Sequence, residues 1–249
     1  MAYELALFDL DDTLAPSKSK VSPDIVDMLV ALTKVAQVAI ISGGTFEQFD
    51  TQLLSSIEDA DALKRIHVLP TCGTRYLVHD GTAWVEVYSE PLTDDETERA
   101  VEAVTRRAKE LGLWEPDTWG DRVERRGSQV TFSALGQAAP VDAKHAWDPT
   151  GEKKNTLREA VAADVPDLEV RSGGSTSVDI TRRGIDKAYG VTKLLARLEL
   201  QPTDAVFFGD RLDEAGNDYP VISTGVPCIA VTGWTDTPGK VREALPEAF

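Results

Sequence analysis

The residues of this 249-residue chain best suited to chemistry follow three apolar runs that are typical of buried strands. Asp9 ends the run LALF, Ser42 ends VAII, and Gly209 and Asp210 come after AVFF. In an open α/β sheet the ligand crevice lies at the carboxyl ends of the strands, so these positions can converge although they are far apart in the chain. Lys187 begins a predicted helix and could add an ammonium group. The sequence therefore predicts a site of carboxylates, a hydroxyl and a lysine at one edge of a sheet.

The elements that must position these residues alternate between strand and helix at both ends of the chain. Ser22 and Pro23 form a typical helix start, and apolar residues follow at helical spacing. The runs that flank this helix are apolar on both faces, as the strands of a parallel sheet are. This alternation predicts a parallel sheet with helices on its faces. The predicted strands are 4–8, 35–41, 67–69, 205–208 and 227–231, and further helices are predicted in FEQFDTQLL and AYGVTKLLARL.

The middle of the chain has a different pattern. RYLVHDGTAWVEV predicts a β-hairpin around an Asp-Gly turn, and Thr93 with Glu96 predicts a capping box before an amphipathic helix. Residues 123–135 predict an antiparallel strand pair. A short helix is predicted at 153–163, and an edge or closing strand at 176–181. The predicted fold class is therefore α/β, with a Rossmann-like parallel-sheet core at 1–85 and 183–249 and an inserted α+β cap at 86–182.

The charge of the chain limits its partners. Its 42 Asp+Glu against 26 Lys+Arg give a net charge of −16, which argues against nucleic acid or an anionic membrane surface as a partner. No apolar run approaches the roughly 18 residues that span a bilayer. Two cysteines, Cys72 and Cys228, make no disulfide framework, and the amino terminus has no basic leader. We expect a cytoplasmic protein.

Four stretches occur in the order of the motifs of the haloacid-dehalogenase-like phosphohydrolase superfamily. They are FDLDDTL at 8–14, Ser42, Lys187 in GIDK, and GDRLDEAGND at 209–218. Within this superfamily the chain resembles members with an α+β cap inserted between the second and third motifs, and most of all the eukaryotic-type phosphomannomutases. That resemblance covers both predicted domains, through TLAPSKSKVS at 13–22, PTCG at 70–73, RRG…FSALG at 125–136, GGSTSVDITRRGIDK at 173–187 and FFGDRLDEAGNDYPV at 207–221.

The resemblance implies a set of catalytic residues. Asp9 would attack phosphorus to form an aspartyl phosphate, and Asp11 would act as general acid toward the leaving oxygen and then as base. Ser42 and Lys187 would hold the transferring phosphoryl oxygens. Taken alone, however, Ser42-Gly43-Gly44 could be a plain helix-capping turn and Lys187 a solvated helix residue.

The resemblance also implies Mg²⁺ as cofactor. Magnesium prefers an octahedral set of oxygens with few protein carboxylates, which suits Asp9, Asp210 and the backbone carbonyl of Asp11. Asn217 and Asp218 are further candidates for holding or supporting the metal. Asp213 and Asp12 fit a solvent-facing loop and a turn better than a ligand role.

Substrate binding is implied for residues of both domains. A mutase that reorients a bisphosphate must also hold a phosphate in the cap, where arginine forks would suit it. Here lysine or glutamine replaces the usual arginine at Lys18, Gln137 and Lys144. Arg122, Arg125 and Arg126 could equally form a solvated basic edge, and either Arg125 or Arg126 could face the substrate. The predicted substrate-binding residues are Lys18, Gly43, Arg125, Arg126, Lys144, Ser177 and Asp179.

Three functions remain open from the sequence. The first is phosphomannomutase-like phosphoryl transfer on a hexose phosphate, which interconverts mannose 6-phosphate and mannose 1-phosphate. The second is a phosphatase that hydrolyses a phosphorylated sugar or a related small metabolite. The third, a non-catalytic sugar-phosphate binding protein, is disfavoured because Asp9 and Asp11 are both present. The resemblance further implies a homodimer through the cap.

Overall fold

The computed structural model of the chain describes residues 3–173, 176–214 and 216–249. The strands are β1 (Leu5–Phe8), β2 (Gln37–Ile41), β3 (Ile66–Leu69), β4 (Arg75–His79), β5 (Trp84–Ser89), β6 (Val123–Arg125), β7 (Gln129–Ser133), β8 (Leu168–Ser172), β9 (Ser177–Arg182), β10 (Ala205–Gly209) and β11 (Cys228–Ala230). The helices are α1 (Pro23–Leu32), α2 (Phe46–Gln52), α3 (Ala60–Leu63), α4 (Asp94–Glu110), α5 (Val141–Trp147), α6 (Glu152–Asp164), α7 (Lys187–Leu198) and α8 (Thr237–Ala244). Among the helices of the described residues, none is long and apolar enough to cross a membrane.

The chain divides into two compact units. Residues 1–89 and 186–249 form one, which we call the core unit, and residues 90–185 form the other, the cap unit. Strand β5 pairs with β4 from Trp84 to Ser89, so it lies wholly in the core unit and runs past the predicted boundary at residue 85.

The core unit contains a seven-stranded sheet in the order β11-β10-β1-β2-β3-β4-β5. Strands β11, β10, β1, β2 and β3 are parallel, and β4 and β5 are added in antiparallel sense. This arrangement confirms the predicted parallel sheet and the predicted hairpin. Phe8 is in register with Phe208 on one side and Ile40 on the other, so β1, β10 and β2 end at the same edge.

Helix α1 illustrates how the sequence sets the helices of the core unit. Ser22 occupies the cap position and Pro23 the first turn, as the sequence predicts, although the Ser22 hydroxyl makes no capping hydrogen bond. Ile25, Leu29 and Leu32 lie on one stripe and are buried in the apolar core beneath the sheet. The apolar spacing therefore determines the buried face of this helix.

The cap unit contains a four-stranded antiparallel sheet in the order β6-β7-β9-β8. Apolar side chains of β7 and β9, such as Phe132 and Ile180, share one core with α4 and α6. The predicted edge position of residues 176–181 is wrong, because β8, which the sequence did not predict, pairs along the other side of β9. The predicted capping box at the start of α4 is confirmed. Thr93 Oγ1 accepts a hydrogen bond from the Glu96 N–H at 3.2 Å, and Glu96 Oε2 accepts one from the Thr93 N–H at 2.7 Å.

Candidate active site

The parallel strands bring a buried lysine and two carboxylates into direct contact. Asp9 follows β1, Lys187 begins α7, and Asp218 lies in the loop after β10. The Lys187 ammonium donates short hydrogen bonds to Oδ1 of Asp9 and to Oδ1 of Asp218. Only 1% of the lysine surface is exposed, so the alternative of a solvated lysine is wrong.

A third carboxylate completes an acidic cluster. Oxygens of Asp9, Asp210 and Asp218 all lie within 4.8 Å of one another. Three carboxylates thus face one ammonium group, and the cluster carries excess negative charge in a site largely removed from water. Such a group of hard oxygen ligands suits Mg²⁺.

The pKa values of these residues reflect the excess of negative charge. Burial, together with the charges of Asp218 and Asp210, holds the pKa of Asp9 well above its usual range although Lys187 opposes the shift. Burial and Asp218 also raise the pKa of Asp210. For Lys187, burial lowers the pKa, but Asp9 and Asp218 outweigh it and raise the pKa, so the lysine remains a cation. Each carboxylate would gain from a further positive charge.

Hydrogen bonds from neighbouring backbone and side chains hold the cluster in place. Thr13 is fully buried; its hydroxyl donates to Asp210 Oδ1 at 3.2 Å and accepts from the Asp210 N–H at 3.1 Å. The Arg211 N–H donates to Asp218 Oδ2 at 3.1 Å. A Cβ atom on Gly209 would lie 2.5 Å from Asp218 Oδ2, so only glycine fits where β10 passes this carboxylate.

Asp11 lies outside the three-carboxylate cluster. Its Oδ1 accepts from the Lys18 N–H at 2.7 Å and from Gln52 Nε2 at 3.3 Å. The Lys18 residue contributes its backbone at this point, and its side chain is exposed. Asp12 has a φ of 61° and accepts from the Ser17 N–H at 3.2 Å, which places it in a turn as expected.

Ser42 and Gly43 follow β2, beside the end of β1. Ser42 is buried, and its Oγ accepts from the Gly44 N–H at 3.1 Å, so the capping-turn geometry is present. A Cβ on Gly43 would meet no atom within 4 Å, which leaves open space beside this backbone. Because the Ser42 hydroxyl only accepts in this bond, its proton can be donated to a phosphoryl group.

The remaining candidates of the core unit lie in exposed or structural positions. Asn217 is exposed. Asp213 is exposed and pairs with Arg211 at 2.9 Å, as the solvent-facing interpretation expected. Ala215, within GDRLDEAGND, and Gly174 and Ser175, within GGSTSVDITRRGIDK, lie outside the described residues.

The cap unit has a polar sheet face opposite its helices. Asp179 Oδ1 accepts from the Thr131 hydroxyl at 2.7 Å and from Gln129 Nε2 at 2.9 Å. Ser177 and Ser133 lie in register on the same strands, with their hydroxyls 3.1 Å apart. The predicted substrate residues Ser177 and Asp179 therefore lie on one face and take part in two hydrogen-bonded groups, Ser177 with Ser133 and Asp179 with Thr131 and Gln129.

The structure distinguishes Arg125 from Arg126. Arg125 is opposite the inward-facing Val130 and forms an exposed ion pair with Glu98 of α4, so it belongs to the helix-covered face. The Arg126 side chain, only 8% exposed, pairs at 2.8 Å with Glu124, which is opposite Thr131 on the polar face. The alternative of a solvated basic edge thus fits Arg125 and does not fit Arg126.

Lys144 and Gln137 join the end of the polar face. Lys144 Nζ donates to the backbone carbonyl of Gln137 at 3.0 Å, and the Gln137 amide donates to Ser133 Oγ at 2.9 Å. Both residues are therefore linked to the network that contains Ser177.

Two residues of the site were missed in the sequence. Thr13 appeared there only as the end of a motif, whereas the structure gives it both hydrogen bonds that fix Asp210. Gln52 gave a weak signal: it follows Phe49 by three residues and so shares the buried face of α2 despite its polar side chain.

A parallel sheet with an acidic, lysine-containing edge, interrupted by an antiparallel unit, defines an enzyme of the haloacid-dehalogenase-like phosphotransferase and phosphatase type. Known structures share this fold. The chain superposes on an N-terminally truncated IMP-nucleotidase of Plasmodium falciparum with a TM-score of 0.70, at 15% identity, covering 98% of this chain and 70% of that one. It superposes on a haloacid dehalogenase-like hydrolase of Bacteroides thetaiotaomicron with a TM-score of 0.66, at 14% identity, covering 99% of this chain and 100% of that one.

Sequence comparison identifies the family within this type. The profile of eukaryotic phosphomannomutase matches residues 25–247, so the chain belongs to the eukaryotic phosphomannomutase family. Similar proteins include the phosphomannomutase of Encephalitozoon cuniculi, 25% identical over 247 residues that cover 96% of this chain and 92% of that one. Human phosphomannomutase 1 is 23% identical over 225 residues, which cover 88% of this chain and 83% of that one.

Proposed function

We propose that the protein catalyses Mg²⁺-dependent phosphoryl transfer on a hexose phosphate and interconverts mannose 6-phosphate and mannose 1-phosphate. The observation that supports this most is the buried contact of Lys187 with Asp9 and Asp218, next to Asp210. Phosphoryl transfer asks a protein mainly for an in-line nucleophile and for positive charge around the phosphoryl oxygens. Membership of the phosphomannomutase family supports the sugar phosphate as substrate.

The acidic cluster fits a divalent cation, because the pKa values of Asp9 and Asp210 are both raised by burial and by neighbouring carboxylates. Asp9, Asp210 and Asp218 are the side chains that would hold Mg²⁺, with the carbonyl of Asp11 as the further ligand proposed above. When bound, Mg²⁺ would neutralise charge on the phosphoryl oxygens and on the nucleophile.

In the proposed reaction an Asp9 oxygen attacks phosphorus as the bond to the ester oxygen breaks. Asp11 gives a proton to that leaving oxygen, and Asp9 becomes an aspartyl phosphate. Asp11 then takes a proton from the hydroxyl or water that attacks the aspartyl phosphate. Lys187 and the Ser42–Gly43 turn hold the phosphoryl oxygens, and the lysine also orients Asp9 and favours its ionised form.

We assign recognition of the distal part of the substrate to the polar face of the cap unit. Ser177 and Asp179 provide hydroxyl and carboxylate groups that suit sugar hydroxyls. Arg126 and Arg171, which is in register with Asp179, lie on the same face. Lys18 and Lys144 add positive charge. Homodimer formation through the cap, the absence of a nucleic-acid partner and a cytoplasmic location stay predictions from the sequence.

Sugar phosphatase activity is the second candidate, and one observation favours it. Every arginine in the described part of the cap unit has a carboxylate or backbone carbonyl partner within that unit. Exposed pairs such as Arg125–Glu98 contribute little to stability and would release an arginine at little cost. Arg126 is nearly buried against Glu124, so its transfer to a second phosphate would leave that carboxylate without its partner. A cap whose nearly buried arginine is committed to Glu124 suits a substrate with one phosphate.

One incubation separates the two activities. The protein is mixed with Mg²⁺, mannose 1-phosphate and a trace of hexose bisphosphate, and mannose 6-phosphate and inorganic phosphate are both measured. The mutase proposal expects mannose 6-phosphate with little free phosphate. Release of inorganic phosphate without mannose 6-phosphate would contradict it and support the phosphatase.

The nucleophile is tested by Asp9→Asn in the same assay. The amide is nearly isosteric with the carboxylate but a poor nucleophile, so we expect loss of both activities, by at least about 10⁴-fold for the removal of a covalent nucleophile. Circular dichroism should show an unchanged fold. Retained turnover by the folded variant would refute the assignment of Asp9.

A further inference from the structure

Gln52, the last residue of α2, holds both ends of the segment that carries Asp11. Its backbone carbonyl accepts from the Val21 N–H at 2.9 Å, and its side-chain Nε2 donates to Asp11 Oδ1 at 3.3 Å. Only 4% of Gln52 is exposed. A buried residue of an adjacent helix therefore fixes the loop from residue 11 to residue 21 at its beginning and at its end.

The contacts of Asp11 are asymmetric. Its Oδ1 accepts two N–H groups, one from the Lys18 backbone at 2.7 Å and one from Gln52. Two donors on one oxygen restrict the rotation of the carboxyl group, because a turn about χ2 would break both bonds. They also occupy the lone pairs of Oδ1. A proton on this carboxyl group is therefore directed to Oδ2.

The side chain of Gln52 is poorly suited to a purely structural role. Its Oε1 is buried and has no hydrogen-bond partner within the described residues. A buried acceptor without a partner costs stability, and an apolar side chain of similar size would avoid that cost. A residue that weakens the fold while it contacts a reactive carboxyl group is typical of a functional site.

We propose that Gln52 is a positioning residue for Asp11: it holds Oδ1 so that Oδ2 is the oxygen that gives and takes the proton. This inference rests on the proposed role of Asp11 as general acid and base. Gln52 itself touches no substrate in this account. It acts by keeping the Asp11 carboxyl group in the orientation that proton transfer needs.

The first test needs no substrate. Gln52→Leu removes the Nε2 donor at nearly constant volume, and Gln52→Glu keeps the shape, removes the donor and serves if the leucine variant folds poorly. We expect the ¹H–¹⁵N resonance of the Lys18 amide to shift in both variants, because this amide shares Asp11 Oδ1 with Gln52. We also expect Gln52→Leu to melt no lower than the wild type. An unshifted Lys18 amide in a folded variant would overturn the proposal.

The second test compares leaving groups in the first turnover with Mg²⁺, where the attack of water does not interfere. p-Nitrophenolate leaves from p-nitrophenyl phosphate without protonation, whereas the alkoxide of mannose 6-phosphate needs a general acid. For Gln52→Leu we expect cleavage of mannose 6-phosphate to slow by about 10- to 100-fold and release of p-nitrophenolate to change by less than about 3-fold. An equal loss with both esters would overturn the proposal.

Gln48→Leu is the matched control on the same helix. Gln48 Oε1 accepts from the Thr45 N–H at 2.9 Å and caps α2. Its replacement should lower the melting temperature without changing the ratio of the two first-turnover rates; a changed ratio would show that any disturbance of α2 has this effect and would count against Gln52. If the wild type cleaves neither ester, the proposed function fails, and the Lys18 resonance still decides whether Gln52 positions Asp11.

Discussion

Individual buried polar residues determine the chemistry of this protein, and they do so at a cost in stability. Lys187, Asp9 and Asp218 are removed from water together, and burial of such groups is rarely favourable compared with apolar side chains of the same size. The attraction between the ammonium and the carboxylates only offsets the loss of hydration. The arrangement makes functional sense because a phosphoryl group and a cation would complete its charge balance.

His67 is a buried polar residue outside the site, and it predicts a pH dependence of stability. It is 6% exposed; its Nε2 donates to Gln37 Oε1 at 2.7 Å, so its Nδ1 accepts from the Tyr76 hydroxyl at 2.7 Å. Burial, with a smaller effect of Arg65, lowers the pKa of His67 to about 4.

Because the folded-state pKa of His67 lies below the unfolded value of about 6.5, its stabilising contribution is complete above pH 6.5 and is lost as the pH falls toward 4. Between pH 7 and pH 5 this group alone should lower the free energy of unfolding by about 2 kcal/mol. Urea unfolding of wild type and His67→Phe at both pH values measures the difference. Equal pH dependence in the two proteins would contradict the assignment.

At the level of whole elements, the placement of α7 decides where Lys187 lies. The first turn of α7 packs against residues 71–73 through two glycines: a Cβ on Gly190 would lie 2.6 Å from the Cys72 carbonyl oxygen, and one on Gly73 would lie 2.4 Å from the Cα of Gly190. Gly73 also has a φ of 83°, which other residues adopt at a cost. The helix can therefore approach the sheet edge closely enough for its first residue to reach Asp9.

Gly190→Ala should separate α7 from this edge. The added methyl group collides with backbone, so we expect a loss of about 1–3 kcal/mol in the free energy of unfolding, beyond the roughly 1 kcal/mol that alanine gains in a helix. Activity should fall as Lys187 moves from Asp9.

Gly239→Ala in α8 is the matched control, since no atom lies within 4 Å of its added Cβ. This variant should keep its activity and gain up to about 1 kcal/mol. Chemical denaturation of both variants measures the change in stability, and steady-state assays measure the change in activity. Equal behaviour of the two would show that the close packing of Gly190 has no role.

For the molecule as a whole, the acidic charge must be reconciled with an anionic substrate. The core unit has 23 Asp+Glu against 12 Lys+Arg, and the cap unit has 19 against 14. Both units are therefore acidic, and long-range attraction cannot bring a phosphate to the site. Binding must depend on a few local cations, above all Lys187 and the proposed Mg²⁺.

Removal of Mg²⁺ should therefore weaken phosphate binding strongly. Without the cation, the three carboxylates of the cluster repel the ligand across a partly desolvated site. We expect calorimetric titration with inorganic phosphate to show binding with Mg²⁺ and little or none after chelation with EDTA, at constant ionic strength. Binding that chelation leaves undiminished would contradict this account of the site.

Local sequence features were enough to predict much of this structure. The apolar runs before Asp9, Ser42 and Asp210 predict strands whose ends share one edge, because parallel strands are buried on both faces and their register follows from that burial. The capping box at Thr93 and the hairpin at 75–87 were predicted for the same reason: each depends on residues close together in the chain.

Contacts between distant residues were decided only by the tertiary structure. The sequence left Lys187 open between a solvated and a catalytic residue, and only packing of α7 on the sheet buries it against Asp9 and Asp218. Side chains alternate between the two faces of a strand, but only the pairing of β6 with Val130 and Thr131 decides which face each residue takes. This pairing separates Arg125 from Arg126. Strand β8 and the bond from Gln52 to Asp11 gave little local signal. The sequence thus determined which chemical groups are present, and long-range packing decided which of them meet, because burial and hydrogen bonding depend on neighbours that the chain brings together only by folding.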